Sequence, residues 1–287
     1  MTQPPEYVSY GHMDELHELQ RPRSDARGEM HFILLSHVKE LLFRAVTDDL
    51  DTARSALDRD DVANACAALA RATRTQRVLV ACWESMNGMS VDEFVAFRHV
   101  LGSASGLQSF AYRTLEFVMG NRPPAQVEAV RQDGHPLLRA ELARPSLYDV
   151  ALRHLARQGF AIPTSCLERA PETQHEPSSK VEDVWLEIYR KPAQHRVPHR
   201  LAECLLEVTY QFSHWRSTHL LVVERMLGGK SGTGGTDGAS WLRTIAEHRF
   251  FPELWTFRSR LYAEPPPPAS RNHDTNQTWA PTTEATR

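Results

Sequence analysis

Residues 196–229, RVPHRLAECLLEVTYQFSHWRSTHLLVVERMLGG, keep apolar side chains at helical spacing over the longest stretch of the chain. The run ends at a glycine pair, as helices often do, and its length predicts a spine around which other helices pack. The same periodicity recurs over 28–58, 61–89, 91–120, 124–133, 146–159, 179–190 and 239–260, while alternating strand patterns are nearly absent. The expected class is therefore all-α, a helical bundle. With 287 residues there is enough chain for one large core and a complete enzyme.

Charge is nearly balanced, at 33 Lys+Arg against 36 Asp+Glu, so there is no basic field for nucleic acid. The four cysteines, Cys66, Cys82, Cys166 and Cys204, form no CxxC pair and are expected as free thiols in a reducing cytoplasm. No run of about 18 apolar residues exists and the N-terminus lacks a basic start followed by an apolar stretch, so a cytoplasmic protein without a membrane partner is expected. ERAPETQHEPSSK (168–180) reads as a loosely held polar surface loop. The Pro-rich 263–287 reads as a disordered tail, leaving an N-terminal segment 1–27 and a helical domain 28–262.

Three features could carry chemistry. His219 shares a helix face with Trp215, Val222, Val223 and Met226, which should be buried. It is either a core histidine satisfied by one hydrogen bond or a metal ligand. In the second case the apolar surround and the lack of a Cys/His/Asp cluster favour haem, which one protein nitrogen can hold. GGKSGTGGTDG (228–238) matches neither common nucleotide-binding pattern; it is a plain loop, or a lid whose amides and Thr233 close over an anion. Arg98, after Phe97 and four residues after Phe94, could fork onto a substrate carboxylate or be an ordinary surface arginine.

FRHVLGSASGLQS with YRTLEFVMGN, PSLYDVALRHLARQGFAIP, HWRSTHLLVVERMLGGKSGTGGTDG and HRFFPELW occur here in that order. Together, over about residues 28–262, they resemble the haem-dependent tryptophan 2,3-dioxygenase family. The resemblance implies a helical bundle enclosing a b-type haem, with His219 as the axial iron ligand. It implies Arg98 and Thr233 on the amino-acid carboxylate, Phe32 against the indole, and Ser105 and Gly106 as the small pair near haem and substrate. Trp83 and Tyr112 match pocket-region aromatics. A homotetramer is also implied, with the N-terminal segment exchanged into a neighbouring active site and Tyr10 matching one of its tyrosines.

The departures are as informative. In FILLSHVKELL (32–42), aligning Phe32 and Glu40 without a gap puts Ser36 where the family carries its distal histidine. Phe32, Ser36 and Glu40 follow i, i+4, i+8 while His37 is rotated about 100° away, so Ser36 is expected to face the substrate. Phe94 stands where the family usually has a tyrosine, and Met13 where it has another. Losing a histidine frees room beside the indole, which makes the chain resemble oxindole-forming relatives from natural-product pathways.

The expected function is a haem-dependent oxygenase using O₂ on tryptophan or β-methyltryptophan, forming a 2-oxindole with help from an external reductant. Ser36 would orient the indole, since a hydroxyl is a poor base. Cleavage of the C2–C3 bond to N-formylkynurenine is the alternative reaction. A haem and tryptophan sensor without turnover, or a helical interaction protein that has lost haem, are the alternatives from other classes.

Overall fold

The computed structural model describes residues 5–228, 230 and 238–262. Among them, regular structure is entirely helical, in the order α1 (Glu6–Gly11), α2 (Met13–Glu18), α3 (Arg27–Asp58), α4 (Val62–Met86), α5 (Val91–Arg98), α6 (Phe110–Val118) and α7 (Pro124–Asp133). It continues with α8 (Pro136–Leu142), α9 (Leu147–Arg157), α10 (Thr164–Leu167), α11 (Ser179–Arg190), α12 (Arg196–Leu227), α13 (Gly238–Glu247) and α14 (Glu253–Tyr262). The all-α expectation holds, and α12 is one of two 32-residue spines, the other being α3. None of these helices is long and apolar enough to cross a membrane. The tail 263–287 and most of the glycine loop lie outside the described residues.

The 25-residue α4 packs against both spines. Its buried side is small, with Ala65, Ala68 and Ala72 fully buried beside Leu69 and Leu79, which lets the helix axes approach. Gln76 Nε2 donates to Val208 O at 3.1 Å in this interior, tying α4 to α12. Cys66 on α4 and Cys204 on α12 meet here through a thiol–thiol hydrogen bond that pushes Cys66 up and Cys204 down. All four thiols are free, and three are buried.

Two expected helices are broken. The stretch 91–120 leaves the helix at Gly102, whose φ is +56°, and restarts where Ser109 Oγ accepts from Tyr112 N. The stretch 239–260 breaks before Pro252, where Phe251 has a φ of +53°. A bulky residue is strained there, and Phe251 is held by burial and by stacking on Tyr148 at 4.8 Å. α1, α2, α8 and α10 are too short for periodicity to reveal.

The expectation of a loosely held loop at 168–180 is corrected. His175 is buried and pairs with Glu253 Oε1 at 2.7 Å, Arg169 bonds Asp149, and Gln174 accepts from Arg122 N at 2.5 Å. A polar sequence reads as loop because composition does not reveal which polar groups find buried partners. Arg122 anchors this region: its guanidinium, 1% exposed, donates to Phe117 O, Arg144 O and Pro171 O and lies 3.6 Å from Glu141. Arg122→Met would leave those carbonyls without their donor, while Glu141 keeps Arg54 and Arg144, and we expect a loss of about 3 kcal/mol in urea unfolding.

Candidate functional site

Phe32, Ser36, Lys39 and Phe43 follow one another at i, i+4, i+7 and i+11 along α3. They form a strip on the order of 16 Å long. At its start the Phe32 ring lies 6.3 Å from Phe94 and 5.5 Å from Phe97, both on α5. The approach of α3 to α5 depends on Gly28, where an added Cβ would sit 3.2 Å from Phe97 Cε1. Phe32 and Phe94 thus meet, and Arg98, half-buried, closes α5 one turn after Phe94. At the far end, Phe43 meets Tyr112 at 5.6 Å and Trp215 edge-on at 5.3 Å.

Between these ends lie Ser36 and Lys39. The Ser36 hydroxyl donates to Phe32 O at 2.8 Å, so its proton is committed to its own helix and only its lone pairs remain to receive a donor. His37 is engaged elsewhere: the Gln20 amide, which also donates to Leu16 O at 2.9 Å, lies 3.1 Å from His37 Nδ1. An amide nitrogen only donates, so Nδ1 is the acceptor. Lys39 Nζ lies 3.7 Å from the Trp83 ring centroid. Glu40 was expected on this face, but seven residues from Phe32 return closer to the same direction than eight, and the contact belongs to Lys39.

Trp83 in turn stacks on His219 at 4.1 Å with an interplanar angle of 10°, and Trp215 lies 5.5 Å from the same ring. Burial, reinforced by the Lys39 ammonium, pushes His219 down to about 3, so the imidazole is neutral at physiological pH. Its Nδ1 has no hydrogen-bond partner, and neither do the buried Nε1 atoms of Trp83 and Trp215. Unpartnered polar atoms in an apolar setting are costly unless a bound group meets them. Among the described residues no three His, Cys, Asp or Glu side chains converge as a chelated metal would need. A haem, which needs one neutral imidazole, fits this donor set.

The remaining expected residues divide. The Tyr112 ring reaches Trp215, but its hydroxyl is committed to Glu116 Oε1 at 3.0 Å and accepts from Arg216 Nε at 3.3 Å. Ser105 and Gly106 lie on the turn between α5 and α6, where Ser105 Oγ accepts from Leu107 N. A Cβ at Gly106 would meet nothing within 4 Å. Tyr10 is 89% exposed within the single chain. Thr233 lies outside the described residues.

Two features went unread in the sequence. Lys39 looked like the charged edge of an amphipathic helix. Arg216, three residues before His219, is 1% exposed and bonds Glu116 Oε1 at 2.5 Å and Ile245 O at 3.0 Å, with Phe212 and Phe250 rings within 5 Å. It locks the turn that carries His219 to α6 and α13. Its adjacency to Trp215 on a buried stripe was the available signal.

These features define an all-α protein with an aromatic cluster built around one neutral histidine. The family model described as Tryptophan 2,3-dioxygenase matches residues 3–172 and 178–261. A tryptophan 2,3-dioxygenase of Caulobacter vibrioides is 37% identical over 263 residues, 91% of this chain and 100% of the relative. Tryptophan 2,3-dioxygenase 1 of Ralstonia nicotianae is 38% identical over 257 residues, covering 89% and 87%. The enzyme of that name from Bacillus cereus is 35% identical over 257 residues, covering 89% and 92%. The chain belongs to the tryptophan 2,3-dioxygenase family.

Arg216→Met would remove one of the two arginines on the buried Glu116 carboxylate, leaving Arg113 on the other oxygen, and we expect about 1–3 kcal/mol less stability in urea unfolding.

Proposed function

We propose that this protein is a haem-dependent oxygenase that adds oxygen from O₂ to the indole of tryptophan or β-methyltryptophan, giving a 2-oxindole. Family membership and the single neutral imidazole of His219 support the haem, with His219 as its iron ligand and Trp83 and Tyr112 beside it. When bound, haem supplies an iron that takes up O₂ and activates it. Arg98 and Thr233 hold the substrate carboxylate by charge-assisted hydrogen bonding, and Phe32 packs on the indole. Phe94, Ser105 and Gly106 leave the surrounding wall small and low in polar groups. Holding the ring beside the oxygen supplies much of the rate.

The observation that carries the oxindole reading is the Ser36 back-bond. With its proton given to Phe32 O, the hydroxyl accepts the indole N–H or a water, orienting the ring without removing its proton. A histidine there would offer a base; serine does not. Forming an oxindole places one oxygen atom in the product and reduces the other to water, which takes two electrons and two protons from an external reductant. The second reading, cleavage to N-formylkynurenine, is favoured by the activity for which the relatives are named and takes no reductant. In either case the N-terminal segment 1–27 is exchanged within a homotetramer, bringing the exposed Tyr10 to a neighbour's pocket, while 28–262 forms the catalytic domain.

The test is turnover of L-tryptophan and of β-methyltryptophan under ¹⁸O₂ with a mild reductant, read by mass spectrometry. One labelled oxygen with reductant consumed is the expected result; two labelled oxygens with an opened ring would establish the dioxygenase reading. His219→Ala should abolish the Soret band of hemin-loaded protein while far-UV circular dichroism stays helical. An unchanged band would overturn the ligand assignment.

A further inference from the structure

Lys39 has no part in the reaction as proposed, yet it stands against the aromatic cluster around His219. It follows Ser36 by one helical turn on the strip that also carries Phe32 and Phe43. Among the described residues no carboxylate forms an ion pair with it; its recorded partner is the Trp83 ring, 3.7 Å from Nζ. A cation–π contact returns only part of the hydration an ammonium loses on leaving water. Burial pushes Lys39 down to about 8, with Cys82 and Glu40 opposing that shift from a distance. A half-buried cation set against aromatic rings is placed to take an anion.

The neighbours are suited to receive one. Trp83 Nε1 and Trp215 Nε1 are buried donors without acceptors, and both belong to the aromatic cluster that Lys39 joins. A carboxylate has lone pairs for an ammonium and for indole N–H donors together. Lys39 itself is half-buried, so its stem can turn the ammonium away from the ring. It is also separate from the arginine end of the pocket: seven residues of helix place it about 10 Å along α3 from Phe32.

We propose that Lys39 is a carboxylate-binding residue of this pocket, pairing with a carboxylate carried by the cofactor or by the amino-acid substrate. The proposal rests on the haem-oxygenase reading for the identity of those two ligands. The source is decided by matched pairs of ligands, one member of each lacking the carboxylate. Hemin and hemin dimethyl ester are titrated by the Soret band, and tryptophan and tryptamine by the spectral change of the haem-loaded protein. Each is measured with the full chain as wild type, Lys39→Met and Lys39→Arg, after circular dichroism has shown the helical content to be equal.

Lys39→Met is expected to weaken one carboxylate ligand by about tenfold or more, with Lys39→Arg within about threefold of wild type. The matching neutral ligand should bind wild type and Lys39→Met alike. A response to hemin alone assigns the cofactor's carboxylate, and a response to tryptophan alone assigns the substrate's. Equal binding of hemin and of tryptophan by wild type and Lys39→Met overturns the proposal and leaves the haem reading standing. A wild type that binds neither hemin nor tryptophan overturns both.

Discussion

Ala65, Ala68 and Ala72 present only methyl groups to the core that α4 shares with α3 and α12, and all three are fully buried. Larger side chains would hold the three helices apart, and the interior gains from close contact fall off steeply with separation. The site depends on this seam. Trp83 stands on α4, His219 on α12 and Lys39 on α3, and their rings and charge meet only because the three axes lie close. The pocket is thus carried by three long helices rather than by loops, which suits a site that must hold two reactants in fixed relation.

Around that seam the polar interior does positional work. Arg216 spends its guanidinium on Glu116, Tyr112 and the end of α13, and Arg54 fixes α3 to Glu141 at 2.6 Å and Pro145 O at 2.8 Å. Buried ion pairs add little net stability, but breaking one is costly, so they restrict the helices to a single register. In the pocket the opposite holds. The nitrogens of His219, Trp83 and Trp215 sit among aromatic rings without hydrogen-bond partners among the described residues.

How much of this could be read in advance follows from what periodicity records. Spacing alone put His219 on one face of α12 with Trp215, Val222 and Met226, and put Ser36 rather than His37 in line with Phe32, because both statements concern directions around one helix. The back-bond from Ser36 to Phe32 O and the pairing of His37 with Gln20 needed coordinates, since either hydroxyl or imidazole has several possible partners. Lys39 was hidden by its charge, which reads as solvent-facing, and the buried His175 by its polar neighbours. The breaks at Gly102 and Phe251 were missed because apolar spacing continues across them while the backbone does not.

Gly28 lies in the first turn of α3, and the space it leaves is filled by the edge of Phe97. The residue next to Phe97 is Arg98. A missing methyl group therefore works as a spacer, setting how closely α5 approaches α3. The separation of the two helices, and of Arg98 on one from Ser36 on the other, is adjustable from a position that carries no side chain at all.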